Sequence, residues 1–531
     1  MMVEPNYINP RISKYTSLIF ISLLFVLLTA MAQFASFALI QHDVISFFGA
    51  QPEDISLALQ MTYVGILATL PLQFRTLKRF DTRNYLLVAL TMGILLNLGC
   101  LYTESLILFT ILRFFVGATT AIIAGSMLMV IFSILPEKKS MVVGVFAFFG
   151  SILSIGVIVG TAAAWVVERM DWNGLYYILI SLQVISIMIC FLVFKENTLP
   201  RKIPLYQLDY IGYILFVCFG VLFAYTLIYG PKYYWFEDST IRTTAIGALV
   251  FLSLFLYHQK RLKRPSVDLR ALNYKRFWFG LLLLIFFYGI KDTINLLYGY
   301  AAGILGWSSE DIVSLGLFNV LGVALATFLA LKVILTKKQN LPKLLLAGFF
   351  ILLYYHLWIY WNLTPDLSYT DLVFPIFIQG FASGLLFAPI IMLCMSSLPS
   401  YTGMTGIIIC AYGRFTASLN SIAGFYTLQE HYNQKYKIGF IESITPFNLE
   451  LHQRSQEYEN LLVSKGYNPE SASAITSKLV GKTIGIQSQL LTDRTIFILA
   501  VYLTVLAILS LIVFGLVNRY KSKRQVPKIV S

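Results

Sequence analysis

The amino-acid sequence predicts an all-α protein that crosses a membrane many times. Hydrophobic residues make up 58% of the 531 residues, charged residues only 12%, and the mean hydropathy is +0.74. A soluble protein carries about a quarter charged residues, so most of this chain is suited to lipid as its solvent. Two further observations agree: apolar segments of helix-spanning length recur along the chain, and basic residues gather in alternate connections between them.

Fourteen apolar segments approach the roughly 20 residues that a helix needs to cross the hydrocarbon. The first follows a short polar tail and has no small-residue cleavage site after it, so we expect it to remain as an uncleaved span. In chain order the segments are 17–40, 55–74, 85–103, 106–133, 141–165, 173–194, 208–230, 241–257, 277–300, 311–334, 344–361, 371–396, 403–426 and 494–517.

The basic residues orient these spans. They cluster in alternate connections and in both tails, whereas the short connections on the other side offer only Arg169, Lys232 and Arg242. The positive-inside rule therefore places both termini in the cytoplasm of a multi-pass protein of the cytoplasmic membrane. This distribution also accounts for the net charge of +14, so we expect the lipid bilayer, and no nucleic acid, to be the partner of the basic residues.

One connection on the outer side, 429–493, is much longer than the others. Asn448 is placed to cap a helix that ends near Gly466, and Asn468-Pro469 is placed to open a second one. Both would mix polar and apolar residues. We expect a small extracytoplasmic cap, with a docking surface for an extracytoplasmic adaptor protein as the alternative.

Charged residues lie deep inside three of the predicted spans: Arg113, the adjacent pair Lys291 and Asp292, and Arg414. A charge at the centre of a bilayer costs about 3 kcal/mol even on the lenient insertion scale, so each should face protein or water and have a partner. The alternative to a functional role is a structural network that only holds helices together.

The segment YGIKDTINLLYG, 288–299, carries the most polar of these positions. Lys291 lies about 22 Å along a helix from Arg276, which is past the middle of the membrane. Adjacent helical residues point about 100° apart, so Lys291 and Asp292 are not expected to pair. Tyr288 would share a stripe with Asp292, and Asn295 one with Lys291. Such a wide polar arc indicates a water-filled cavity.

No pattern of catalytic or metal-binding residues is visible. The five histidines are scattered, and the five cysteines lie in apolar segments without the spacing of metal ligands. The segment LVGKTIG lacks the first glycine of a phosphate-binding loop, where Thr476 stands. We therefore expect neither an enzyme nor a cofactor.

The chain resembles the major facilitator superfamily, in its 14-span drug:proton antiporter branch. LILFTILRFFVGATTA resembles the arginine–glycine motif of span four, at Arg113 and Gly117, and GVFAFFGSILSIGVIVGTAAA resembles the glycine motif of span five, at Gly156 and Gly160. QGFASGLLFAP in span twelve and the long connection before span fourteen also match.

The resemblance implies two six-helix bundles, 17–199 and 266–517, with spans seven and eight inserted between them at 200–265 and with cytoplasmic tails at 1–16 and 518–531. Spans one, four, nine and twelve would line a central cavity. The candidates for binding substrate or coupling protons are then Asp292, Lys291, Tyr288, Asn295, Arg113, Gln33 and Gln379, with Arg414 on a neighbouring helix.

Several positions depart from the family pattern. The motif after span two keeps Arg79 and Arg83 but has Phe74, Lys78 and Asp81 at three other positions. Span five keeps its close-packing glycines, but Val157 and Thr161 follow them in place of the usual proline and glycine. Span one has Gln33 in place of an aspartate that takes part in proton coupling.

The sequence therefore predicts a secondary active transporter that exports a hydrophobic or amphipathic small molecule, either a drug or a metabolite, by alternating access. If protons drive the exchange, Asp292 is the best remaining carboxylate. Two alternatives stay open: an exporter of an organic anion bound by Lys291, Arg113 and Arg414, and a transporter-derived receptor or assembly factor that no longer transports.

Overall fold

The structure is a computed structural model that describes residues 8–12, 14–36, 40–77, 79–134, 137–196, 208–336, 341–399, 402–445 and 447–525. Lys78 and parts of both predicted tails lie outside these residues. The described chain is all-helical apart from one isolated antiparallel bridge between Ile8 and Phe194. Thirteen of its helices are long and apolar enough to cross a membrane. The predicted all-α membrane fold is confirmed, whereas the count of fourteen spans stays a prediction.

The helices run as follows: α1 Thr16–Ala35, α2 Gln41–Phe48, α3 Pro52–Thr76, α4 Thr82–Tyr102, α5 Leu106–Ile134, α6 Glu137–Val167, α7 Leu175–Val193, α8 Tyr210–Tyr229, α9 Ser239–Arg261, α10 Lys275–Lys291, α11 Thr293–Gly303, α12 Ser309–Thr336, α13 Leu341–Asn362, α14 Tyr369–Ser396, α15 Gly403–Glu442, α16 Leu449–Ser464 and α17 Pro469–Gln525.

Two buried apolar clusters organise these helices. One lies within residues 8–194, and the other is formed by α8–α15 and α17 together with faces of α3, α5 and α6. We call the two ends of the molecule the basic end and the opposite end, according to the connections between helices that each one holds. The basic end holds the connections α3–α4 and α9–α10, and the opposite end holds α2 and the connection α11–α12.

Glycines allow two helix pairs to approach closely, one in each half of the chain. A Cβ atom at Gly117 of α5 would clash with the carbonyl oxygen of Thr62 in α3, and one at Gly380 of α14 would clash with that of Asn319 in α12. Close backbone approach is how membrane helices gain packing contacts, because lipid provides little hydrophobic drive between them. These contacts fix α5 and α14, which carry Arg113 and Gln379.

The predicted outer connection 429–493 is mostly helical, and its role as an extracytoplasmic cap stays a prediction. The predicted helix after Asn448 is confirmed as α16, with the Asn448 side chain accepting from Leu451 N at 3.1 Å, and Gly466 follows it with φ of 93°. However, α15 continues to Glu442, and the helix that opens at Pro469 runs without a break into the last span. Cross-contacts such as Asn433 to Gln489, at 2.8 Å, hold the two extensions together.

Candidate functional site

A polar cavity of about 600 Å³ lies between the two halves of the molecule. We call it the central cavity. Its exposed lining residues, including His42, Ala302 and Ser309, lie at the opposite end, so the cavity opens there. Its polar floor is formed by side chains from α3, α10, α11, α12, α14 and α15 and by Asp292 between α10 and α11. The helical residues among them include Tyr63, Tyr288, Lys291, Asn295, Asn319, Gln379 and Arg414.

The helix that carries Lys291 and Asp292 is interrupted between them. α10 ends at Lys291 and α11 starts at Thr293. The carbonyl oxygen of Lys291 accepts a hydrogen bond from Gln379 Nε2 at 3.0 Å, while Asn295 N turns to the carbonyl of Asp292 at 3.0 Å. A side chain of α14 thus replaces an intrahelical partner, as membrane proteins require where a helix breaks.

The interruption overturns the expectation that Lys291 and Asp292 do not pair. Lys291 Nζ lies 3.0 Å from Asp292 Oδ1. The argument from helical geometry fails because Asp292, with φ of −72° and ψ of −2°, lies outside both regular helices, and because the lysine side chain is long enough to fold back. The pair lines the cavity as a unit with no net charge.

Arg414 supplies a further positive charge at the floor of the cavity. Its guanidinium lies 5.3 Å from the ring centre of Tyr288 and 5.7 Å from that of Tyr63, and Nη2 lies 3.4 Å from the Tyr63 hydroxyl oxygen. Lys291 Nζ is 5.4 Å from the Tyr288 ring. Aromatic faces stabilise cations at such distances, more strongly where water is scarce. Both cationic side chains therefore lie close to the ring of Tyr288.

Asp292 is the single carboxylate among the described residues that line the central cavity. Besides His42, the basic side chains among the described lining residues are those of Lys291 and Arg414, so basic groups outnumber carboxyl groups in this lining. The cavity thus presents a carboxyl group at Asp292, basic groups at Lys291 and Arg414, and amide groups at Asn295, Asn319 and Gln379.

A second, smaller space continues from the floor toward the basic end. It has a volume of about 80 Å³ and is lined mainly by apolar side chains such as Leu67, Phe149, Phe387 and Ile391; we call it the apolar slot. Phe34, Tyr63, Ile152 and Arg414 line both spaces. Its lining residues nearest the basic end, Leu128, Ile391 and Ile407, are buried, so this end is closed.

Two of the candidates lie away from the cavity. Arg113 is fully buried in α5 and donates to the carbonyl oxygens of Gln33 and Phe34, at 2.9 and 3.0 Å, and to Ser36 Oγ at 3.1 Å. Gln33 is also buried, and its Oε1 accepts from Asn97 Nδ2 at 2.6 Å. Arg113 therefore binds the last carbonyls of α1, a cation at the negative end of a helix dipole.

The residues of the family motifs differ in what they contact in the structure. Gly117 is at the close contact of α3 and α5, and Gly160 is buried in α6. Gly156 was expected to permit close packing, but it lines the central cavity, and no atom lies within 4 Å of where its Cβ would be. Arg83 lies 3.7 Å from Glu196 and packs on Phe191, and Arg79 follows the end of α3.

Sequence reasoning missed Tyr63, Asn319 and Ser383, which also line the cavity. Asn319 donates to Gln379 Oε1 at 2.6 Å and so orients the amide that closes the helix break. An amide within the apolar segment LGLFNVLGVAL was a usable signal for Asn319. Tyr63 and Ser383 carried no such signal, because tyrosine and serine are common in membrane helices.

Comparison with known proteins identifies the family. A sequence profile of the Major Facilitator Superfamily matches residues 19–425. The chain belongs to the major facilitator superfamily. It is accordingly a multi-pass transporter of the cell membrane that acts on small molecules, and the predicted family resemblance is confirmed.

Relatives and solved structures agree with this membership. The chain is 25% identical over 471 residues to the uncharacterized MFS-type transporter YhcA of Bacillus subtilis, covering 86% of this chain and 85% of that protein. It is 25% identical over 414 residues to the fatty acid resistance protein FarB of Neisseria gonorrhoeae, covering 74% and 75%. It is 21% identical over 389 residues to the multidrug export protein EmrB of Haemophilus influenzae, covering 70% and 72%.

The fold is shared with a POT family transporter solved in complex with 5-aminolevulinic acid. The TM-score is 0.58 at 13% identity, with 79% of this chain and 91% of that one covered. The xylose transporter XylE from E. coli aligns with a TM-score of 0.52 at 12% identity, covering 78% and 92%.

Proposed function

We propose that the protein exports an amphipathic or hydrophobic small molecule in exchange for protons, with the central cavity as the site of exchange. The observation that carries this proposal is that the central cavity and the apolar slot share lining side chains although their linings differ in polarity. A cavity lined by charged side chains meets an apolar slot at Tyr63 and Arg414. A molecule with a polar head and an apolar body fits both.

Asp292 is the proposed proton carrier. It lies at the cavity floor, 8% exposed, paired with Lys291. Protonation of Asp292 removes the negative partner of Lys291 and changes the charge of the cavity by one. Rocking of the two bundles about this midplane site would expose it to each side in turn. With the termini in the cytoplasm, the described state is open to the outside.

An organic anion is the second candidate substrate. Two cations face one carboxylate in the described lining, so an anionic head would find Lys291 and Arg414 available once Asp292 is protonated. The name of FarB, a fatty acid resistance protein, fits an amphipathic anion of this kind. The names of the EmrB relatives fit a broader range of exported molecules.

A panel of compounds in proteoliposomes tests both candidates. Counterflow of a radiolabelled lipophilic cation, a neutral lipophile and a long-chain carboxylate would be compared between wild type and Arg414→Gln. An amphipathic cation or neutral substrate should be transported by both proteins, whereas an anion should lose most of its counterflow in the variant. Absence of counterflow for every compound would contradict the proposal and favour a receptor or assembly factor without transport.

The helical extensions at the opposite end are the proposed contact for an extracytoplasmic adaptor protein. The segment between them exposes large apolar side chains outside the apolar spans, notably Phe447 at 94%, in the connection from α15 to α16, and Leu449 at 70%, at the start of α16. Exposed apolar patches of this kind mark protein contacts. Cross-linking in cells at a cysteine placed at Phe447 should capture a defined partner. Capture of nothing but lipid and neighbouring copies would count against the adaptor.

A further inference from the structure

An apolar groove of about 800 Å³ runs along the side of the molecule between the inserted helices α8 and α9 and helix α15. It extends from Arg242 to Leu256 on α9, about 21 Å of helix. Its lining is almost wholly aliphatic and aromatic. Ile246 and Leu249 line it and are 61% and 65% exposed, so the groove is open toward the surrounding lipid. We call it the lateral groove.

One side chain separates the lateral groove from the transport path. Phe415 of α15 lines both the lateral groove and the apolar slot. Its ring stacks on Tyr63, with ring centres 6.3 Å apart, and Tyr63 in turn lines the central cavity. Beside it, Tyr412 stacks on Phe216 at 4.4 Å and forms part of the groove wall. The partition between lipid and slot is therefore one aromatic layer thick.

The two walls of the groove belong to different parts of the molecule. The inserted helices are bound to α3: Tyr229 contacts Asp54, Lys232 lies 4.0 Å from Glu53, and Arg75 Nη2 donates to the carbonyl oxygen of Pro265 at 2.6 Å. The other wall is α15, whose buried face packs with the second bundle. A relative movement of the bundles would therefore change the width of the groove and the position of Phe415.

We propose that the lateral groove binds the apolar part of the transported amphipath from the bilayer and admits it past Phe415 to the apolar slot. This inference rests on the proposed function. The occupant follows from the surroundings, because a groove along membrane-spanning helices is filled from the lipid phase, and an apolar lining selects an apolar chain. Its continuity with the slot at Phe415 favours the transported molecule over a fixed lipid.

Photolabelling tests the binding site. The probe is hexadecanoic acid with a diazirine in its chain, incorporated into proteoliposomes of wild type, Ala245→Phe and Val250→Phe. Ala245 lines the groove, whereas Val250 lies on the same helix, is 50% exposed and is not part of the lining. Labelling of α8, α9 and 409–416 should fall about tenfold in Ala245→Phe, as expected when a well-fitted apolar site is filled. It should persist in Val250→Phe.

Transport kinetics test the route. With the amphipath that the counterflow panel identifies, Ala245→Phe should raise KM about tenfold without changing kcat, and Val250→Phe should change neither. Equal labelling of all three proteins would overturn the site. Loss of labelling with unchanged KM would mean that the groove holds resident lipid, which overturns the route. If the wild type transports no compound, the proposed function and the route fail together, while labelling still decides the site.

Discussion

The intramembrane charges occupy two kinds of environment. Lys291, Asp292 and Arg414 line the central cavity. Arg113 is fully enclosed, and its guanidinium donates to α1 carbonyls. The high cost of a charge in lipid made all four positions visible in the sequence. That cost does not distinguish a functional charge from a structural one, since both need partners. The structure shows which of these side chains line the cavity and which is enclosed.

Substitution of Arg113 should therefore change stability rather than substrate affinity. Arg113→Lys keeps the charge but cannot reproduce the donor geometry toward Gln33, Phe34 and Ser36. We expect it to cost about 1.5–3 kcal/mol, the value of one charged hydrogen bond. Thermal unfolding of the detergent-solubilised protein measures this cost.

Arg414→Lys is the matched control, because Arg414 lines the cavity. Arg414→Lys should unfold near the wild-type temperature, whereas its affinity for an anionic substrate should fall. If Arg113→Lys proved as stable as wild type and instead bound substrate more weakly, Arg113 would belong to the binding site after all.

At the scale of elements, the structure depends on close helix pairs and on one broken helix. The pairs α3–α5 and α12–α14 meet at glycines, and the break between α10 and α11 is held by Gln379 of α14 and by Thr293, whose Oγ1 lies 3.1 Å from His356 Nε2. Apolar spans could be predicted because hydrophobicity is a local property. The break could not, because its partners lie on α13 and α14, more than 60 residues away.

The extensions of α15 and α17 show the same limit. The polar residues of these extensions indicated a connection between spans. In the structure, side chains of α15 contact side chains of α17, and both helices continue without a break. Tyr436 and Thr495 approach within 2.7 Å, and Gln429 Nε2 donates to Asp493 at 3.3 Å. Such pairs are not visible in a sequence until the two helices have been aligned with each other.

The glycine contacts give a prediction with a clean control. Gly380→Ala would place a methyl group against the backbone of Asn319 and force α12 and α14 apart, at a cost of about 1–3 kcal/mol. Gly424→Ala, on α15, meets no atom within 4 Å and should be neutral or slightly stabilising. Gly380→Ala should unfold at a lower temperature than wild type. Gly424→Ala should unfold at the wild-type temperature or slightly above it. Equal unfolding temperatures would contradict the close contact.

A carboxylate at the basic end predicts a pH dependence. Asp209 precedes α8 and is 9% exposed; it accepts from His258 Nε2 and Gly212 N, each at 2.8 Å, and from Gln259 Nε2 at 2.5 Å. Burial by itself would raise the pKa of Asp209, but these hydrogen bonds together hold it below the ordinary value. The stabilisation is thus present above about pH 4 and is lost as pH falls through the lower folded-state pKa.

Asp209→Ala should consequently unfold at a lower temperature than wild type at pH 5, and the difference should shrink toward pH 3. Asp238→Ala is the comparison, because Asp238 caps α9 through Thr240 N and Ile241 N but has no tertiary partner of this kind among the hydrogen bonds of the described residues. Its effect should be smaller at pH 5. A difference for Asp209→Ala that grows with acidity would contradict the lowered pKa.

At the scale of the whole molecule, the described state has one open end and one closed end. The central cavity opens at the opposite end, while buried residues of the apolar slot close the basic end. The family, the all-helical fold and the membrane location could be predicted, because composition and motif spacing carry them. Which end of the molecule is open could not be predicted from the sequence, because the same sequence must adopt every state of the transport cycle.

The central claim is that protons and substrate exchange at Asp292. The most direct measurement is proton movement in inverted membrane vesicles containing wild type, Asp292→Asn or Asp292→Glu, energised with a proton gradient and given a transported amphipath. We predict that the substrate dissipates the gradient in wild type, does so at a reduced rate in Asp292→Glu, and has no effect in Asp292→Asn. Undiminished substrate-dependent proton movement in Asp292→Asn would contradict the claim.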